Sequence, residues 1–270
     1  MKLVLLLGIG ICCVAAAGSL PDAAEIVRLS VQRIETDWQR APEYAFVERD
    51  VETKRHGAPT RKTYEVLMID GSQYHRLIAV NDHPLSPGER AAEEDKLRAE
   101  VFKRGHESDR ERQRRIAKYL KERDQNHAML KEMGEAFEFR LSGDAKVDGH
   151  DCWVLDAAPK PGYQPKNRDT KVLTGMKGKL WIDKSQYEWV RVEAEVVHSV
   201  SLYGIVARVG PGTRFFLEQA PVAGNLWLPK HFSVTVNASA LGFINENSTD
   251  DETYSDYEPM PTTAALEARK

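Results

Sequence analysis

The chain has 270 residues, with 38 basic and 41 acidic side chains, a formal net charge of −3 and 41% hydrophobic residues. That length suffices for one large domain with a buried core, the simpler reading, or for two small ones. A mildly acidic chain lacks the basic footprint that phosphate backbones require, so nucleic acid is excluded as a partner, and no solenoid or propeller repeat is present.

Lys2 is followed by the apolar run Leu3 to Val14 and then by Ala15-Ala16-Ala17, the pattern of a secretory signal peptide over residues 1–17, cut before Gly18. The run is shorter than the roughly 20 apolar residues of a spanning helix, and no later stretch comes close, so the mature chain is predicted to be exported and not membrane-spanning. Lipidation of Cys12 or Cys13 is disfavoured, because Ile11 and Cys12 stand where a small residue is needed. With those cysteines lost in the leader, Cys152 remains alone and an internal disulfide is ruled out. A large exported domain without bridges points to a bacterial envelope, the periplasm of a Gram-negative cell.

The mature chain opens with a helix. Asp22 caps it, Glu25 stands three residues on, Val27, Val31, Ile34 and Trp38 share one face, and Pro42 stops it. From Tyr44 the period changes to 2, with Ala45, Val47 and Val51 alternating with polar residues as far as Lys54. After the turn His56 to Pro59, Arg61 to Asp70 returns as a second strand. Asp70-Gly71 is a two-residue hairpin signal, and Tyr74 to Val80 is the third strand of an antiparallel meander.

Two capping boxes follow. Ser86-Pro87-Gly88-Glu89 starts a helix that ends at Gly105, and Ser108-Asp109-Arg110-Glu111 starts another that is predicted to run to about Gly134. Between Pro87 and Met133 stand 13 basic and 11 acidic residues, with only a thin apolar stripe of Ile116, Tyr119, Leu120, Leu130 and Met133. Residues 86–134 therefore read as an inserted, mostly solvated helical hairpin. Strands resume at Phe137 to Leu141, turn at Asp148-Gly149 and continue through Cys152 to Leu155 before the loop Pro159 to Gly162. A second series begins at Leu180 to Asp183 and pairs with Trp189 to Val197, where Val190, Val192, Ala194 and Val196 face one way and Arg191, Glu193 and Glu195 the other. Further strands fit Arg214 to Glu218, Leu226 to Asn237 and Ser248 to Tyr257. The tail 259–270 has too little apolar content to stay ordered.

The expected fold class is α+β, mainly antiparallel β. Residues 18–258 would form one domain, an open curled sheet or incomplete β-barrel, with the N-terminal helix and the helical hairpin covering its concave face. Apolar space left uncovered there would hold a hydrophobic ligand.

Particular phrases carry a family resemblance. Val147 to Leu155 (VDGHDCWVL), Gly178 to Asp183 (GKLWID) with Trp189 to Glu193 (WVRVE), and Leu226 to Lys230 (LWLPK) resemble strands of the bacterial outer-membrane lipoprotein carrier and sorting superfamily typified by LolA and LolB. The likeness covers about Asp22 to Tyr257. It implies an open β-barrel whose concave face holds acyl chains of a lipoprotein or lipid, with helices as a lid. The long charged insert departs from that pattern, and no functional residue of the family is carried over.

The candidate ligand-binding residues are Val190, Val192, Val196, Leu180, Ile182, Phe232, Val234 and Val236, whose alternation serves equally well for a core. Arg110, Arg112, Arg114, Arg115 and Lys118 form a basic stretch that could meet lipid headgroups or an envelope protein partner, against the plainer reading of a solvated helix face. His150 and Cys152 share a strand face, as a Cys/His hydrolase would need. No nucleophile motif, phosphate loop or metal-ligand pairing accompanies them, and His75, His83, His127, His198 and His231 are scattered. The sequence thus predicts a binding protein without catalytic residues, metal or cofactor. An envelope structural or regulatory role through the charged insert is the alternative.

Overall fold

A computed structural model describes residues 22–54, 57–202, 207–240, 244–262 and 265–266; the leader expected at 1–17 lies outside them. The elements in chain order are α1 (Ala23–Arg40), β1 (Tyr44–Lys54), β2 (Thr60–Ile69), β3 (Ser72–Val80), β4 (His83–Pro84), α2 (Pro87–Gly105), α3 (Asp109–Ala136), β5 (Phe137–Val147) and β6 (His150–Pro159). They continue with β7 (Met176–Asp183), β8 (Trp189–Val196), β9 (Val200–Ser201), β10 (Ala207–Val209), β11 (Arg214–Ala223), β12 (Leu226–Ala240) and β13 (Ile244–Pro259). All the strands belong to one antiparallel sheet in the order β4-β3-β2-β1-β13-β12-β11-β8-β7-β6-β5, with β10 beside β12 and β9 beside β10. The end strands β4 and β5 do not pair, so the sheet does not close into a barrel. No helix among the described residues is long and apolar enough to cross a membrane.

Local chemistry accounts for the boundaries. The Asp22 carboxylate accepts from the Ala24 N–H at 3.2 Å, and both predicted capping boxes form, Ser86 with Glu89 and Ser108 with Glu111. Asp70 (φ 44°) with Gly71 (φ 87°), and Asp148 (φ 48°) with Gly149 (φ 91°), take the left-handed turns that two-residue hairpins need. α3 does not stop at Gly134 as the sequence predicts; it runs on to Ala136. A Cβ at Gly134 would sit 3.3 Å from a Val31 methyl, so this glycine serves the close approach of α1 rather than a helix end.

The main core lies between α1 and β5–β8. Ile26, Val27 and Ile34 pack against Phe137, Leu155, Leu180, Ile182, Trp189, Val192 and Val196, sealed at one end by Leu173 and Met176 in and after the 3-10 turn Asp169–Gly175. Trp189 is 1% exposed, and its Nε1–H donates to Ser30 Oγ at 2.9 Å. Trp38 turns to α3 instead: it stacks on His127 with centroids 4.4 Å apart and carries the Arg123 guanidinium 3.9 Å from its ring centre.

A second core holds the inserted hairpin. Leu97 and Val101 of α2 cover Ala45, Leu67 and Ile69. Arg104 is buried and donates to the carbonyls of Ile69 (2.9 Å), Ser72 (2.8 Å) and Gln73 (3.3 Å) and to Ser72 Oγ (3.1 Å). The pattern predicts the whole hairpin over the α1 face. Following the pairings strand by strand, however, places Leu67, Ile69 and Tyr74 on the reverse face, where α2 meets them, while α3 runs from the Asp70-Gly71 turn across to α1. The C-terminal segment, expected to lack the apolar content for order, brings Met260 and Leu266 into this second core, Leu266 at 1% exposure. Two apolar side chains are enough because α2 and β2 leave a place for them.

Candidate functional site: the open half of the α1 face

Alternation along paired strands assigns each side chain to a face. On the α1 face two successive cross-strand rows read Val192, Leu217, Phe232, Glu252, Asp50 and Ala194, Phe215, Val234, Asp250, Glu52. The row beside them carries Tyr254, Glu48 and Tyr64. Across β7 and β8 α1 roofs this face; from β11 onward Phe215, Leu217, Phe232 and Val234 are half-buried, and so are the carboxylate-bearing residues beyond them.

The predicted ligand residues therefore divide. Leu180, Ile182, Val192 and Val196, at 1%, 0%, 6% and 0% exposure, are closed off beneath α1. Val190 lies on the reverse face with Val147, Cys152 and Trp227. The register shift between Trp181 and Ile182 puts an extra residue into β8 and turns Val190 away from Val192, which the plain alternation of the sequence hides. Phe232, Val234 and Val236 remain on the accessible part of the face.

The carboxylates of this face were not singled out by the sequence. Asp50 stands directly opposite Glu252, and Glu52 opposite Asp250, like-charge pairs that weaken a sheet. Burial, then the charges of Glu252 and Asp50, push the Glu48 carboxyl up to about 7, and burial with Asp250 and Glu52 raises Asp50. Among the described residues the neighbouring cations are few. Lys62 pairs across from Asp50, Lys54 reaches Glu52 at 3.0 Å, and His75, 3.9 Å from Glu48, has its pKa lowered by burial. Aromatic rings border the carboxylates: Phe46 contacts Tyr254 and Tyr257 at centroid distances of 5.9 and 5.4 Å, and the Tyr254 hydroxyl donates to Glu252.

A buried carboxyl pair fixes the edge of the roof. Glu188, with its side chain at 0% exposure, accepts from Arg33 Nε at 2.8 Å; Asp37 accepts from the Trp227 N–H at 3.2 Å. Burial, then the charge of Asp37, pushes Glu188 up to about 8, and burial raises Asp37 as well. The two carboxyls titrate as a coupled pair, each raised by burial, and their contacts with Arg33 and Trp227 tie α1 to the β7–β8 turn and to the start of β12.

The basic stretch is divided in the same way as the apolar set. Arg115 is committed to Glu107 at 2.7 Å, to the Asp70 carbonyl at 3.2 Å and to Ser72 Oγ at 2.7 Å, and Arg112 is half-buried. Arg110, Arg114 and Lys118 are exposed and line one side of α3. On the reverse face β5–β8 and β11 frame a shallow groove of about 970 Å³. Two of its cations pair with Asp156, Arg140 at 3.2 Å and Lys179 at 3.5 Å.

Cys152 is fully buried. Burial, followed by the charge of Asp183, pushes its thiol up to about 11, the reverse of an activated nucleophile. His150 packs on Trp227 and faces Asp183 at 3.4 Å. We expect no measurable labelling of the folded protein by a thiol reagent at pH 7.5 over an hour, and rapid labelling once it is denatured; fast labelling of the folded form would show an accessible, activated thiol.

No protein-family model and no curated protein matches the chain. Among solved structures, it is similar to a Vibrio parahaemolyticus domain described as an outer membrane lipoprotein-sorting protein, at 12% identity over 86% of this chain and 92% of that one, with a TM-score of 0.34. It is similar to a LolA superfamily protein from Nitrosomonas europaea at 10% identity, covering 93% and 99%, with a TM-score of 0.34. A chain of the MucA/MucB complex of Pseudomonas aeruginosa is similar at 11% identity, covering 90% and 100%, with a TM-score of 0.26. At these scores the function has to come from the chain's own residues. They define an open antiparallel sheet roofed by a helix over half of one face, with the other half lined by apolar and carboxylate side chains.

Proposed function

We propose that the protein is an exported, non-catalytic binding protein of the bacterial envelope that receives an amphipathic ligand on the open half of the α1 face. The observation that carries this reading is the end of the roof. Val192 is sealed at 6% exposure, whereas Leu217 directly opposite it and Phe232 one strand further on are left half-buried on a continuous apolar strip. Apolar surface held at a fixed place beside polar groups is how binding faces recruit acyl chains or the apolar side of a peptide. The leader pattern over residues 1–17 supports export, and the buried Cys152 thiol is the reverse of an activated nucleophile.

The test is equilibrium binding of a fluorescent neutral monoacylglycerol. Wild-type protein should bind saturably, and Phe232→Asp should bind roughly ten- to a hundredfold more weakly, the loss that one buried aromatic contact implies. Phe102→Ser, on the exposed surface of α2 at 67% exposure, should leave affinity unchanged. Equal binding by wild type and Phe232→Asp would reject the site.

A further inference from the structure

The open face has two halves of different chemistry, side by side. β11 and β12 supply the apolar strip, and β13 and β1 supply carboxylates in the same cross-strand rows. Strands lie about 4.8 Å apart, so each half is roughly 10 Å wide, and an α-helix about 10–12 Å across laid along their border meets both. The carboxylates are held against their own repulsion, Asp50 facing Glu252 and Glu52 facing Asp250. Among the described residues, Lys62 and Lys54 leave most of that charge unanswered. The charges that raise the Glu48 carboxyl are those of Glu252 and Asp50. Features that cost stability and remain uncompensated within the fold mark places where something else is to be met.

We propose that the occupant of this face is a basic amphipathic segment of another protein, with its apolar side on Phe232 and Val234 and its Lys and Arg side chains over Asp50, Glu52, Asp250 and Glu252. The inference rests on the open-face reading and adds a sign to it. A fatty acid or an anionic phospholipid would bring a negative group against like charge, whereas a cationic segment relieves the repulsion and loses little by burying its stems on β12.

The experiment uses three fluorescent probes on the full mature chain: a short helical Leu/Lys peptide, its Leu/Glu counterpart and the neutral monoacylglycerol. They are titrated against wild type and the double variant Asp50→Asn/Glu252→Gln. The Leu/Lys peptide should bind wild type, weaken on raising salt from about 50 to about 300 mM, and lose at least about tenfold in affinity for the double variant. The Leu/Glu peptide should not bind, and the neutral probe should bind both proteins alike. Glu193→Gln, exposed on the reverse face, should change nothing. The double variant removes repulsion, so its melting temperature should equal or exceed that of wild type, separating a lost site from a lost fold. Equal binding of the two peptides, or no loss in the double variant, overturns the inference while binding of the neutral probe keeps the open face. Failure of all three probes overturns both. Self-association of the chain at low salt that Lys118→Glu abolishes would make a second copy the occupant and overturn the proposal.

Discussion

Replacing Trp189 by Ala is expected to lower the free energy of unfolding by about 3–5 kcal/mol, the range for an indole removed from a closed core. Trp189 stands at the point where β8 is roofed: it is buried in the main cluster beside Ile182, and its Nε1–H satisfies the buried Ser30 hydroxyl of α1. Trp189→Phe keeps most of the volume and forfeits the hydrogen bond, so it should cost less, about 1–2 kcal/mol. Urea unfolding at equilibrium reads both, with an unchanged dependence on denaturant if the variants keep the fold. A loss below about 1 kcal/mol for Trp189→Ala would mean that α1 is not seated on β8, and the division of the face into a roofed and an open half would fall with it.

The second large effect is a decline in stability as the solution is made more basic. Glu188 and Glu48 are pushed up to about 8 and about 7 from an ordinary value of 4.5. Their protonated forms favour the native state. That contribution is fully present below the unfolded value and is lost as pH rises through the folded values, so the window runs from about pH 4.5 to about 8. Glu35 works in the opposite direction and in another range: with Lys131 and His127 as partners it falls to about 2 despite its burial, and its contribution is lost only in acid. Between pH 5 and pH 8.5 the unfolding free energy should drop by up to about 6 kcal/mol. Glu188→Gln should remove the larger part of that slope and Glu48→Gln the remainder. A profile that is flat or rises across this range in wild type would show that burial beneath α1 does not raise Glu188.

Much of the local structure is legible in the sequence. The capping boxes at Ser86 and Ser108, the turns Asp70-Gly71 and Asp148-Gly149, and the face of α1 that carries Val27 and Ile34 each follow from a few neighbouring residues, because caps and turns are settled within four or five positions. What escapes is set by partners distant in the chain. Nothing near Val190 announces that a bulge sends it to the reverse face with Trp227. Nothing near Arg104 or Arg115 distinguishes a guanidinium buried on the β2–β3 hairpin from the exposed Arg110 and Arg114. The candidate site was hidden for the same reason. In β1 and β13 the apolar alternation is weak and the acidic residues read as solvent-facing; only the pairing of the two strands puts Asp50 and Glu252 opposite each other, next to Phe232.

The pairing of β1 with β13 also governs how the molecule comes to be made. Tyr44 lies against Pro259 and Lys54 against Ser248, so the first strand of the domain waits for the last one. The early meander, β1 to β4, and the later one, β5 to β8, share no strand border; β11, β12 and β13 are the bridge between them. A chain emerging N-terminus first can form two separate fragments of sheet, each with a naked edge, but it cannot join them until residues near its end are free. Joining them closes a loop of nearly the whole polypeptide, the slow kind of contact in folding. During that interval β1 shows both its carboxylates and its unpaired backbone to the surroundings. An apolar sequence in that position would invite aggregation, whereas Glu48, Asp50 and Glu52 keep the waiting edge soluble.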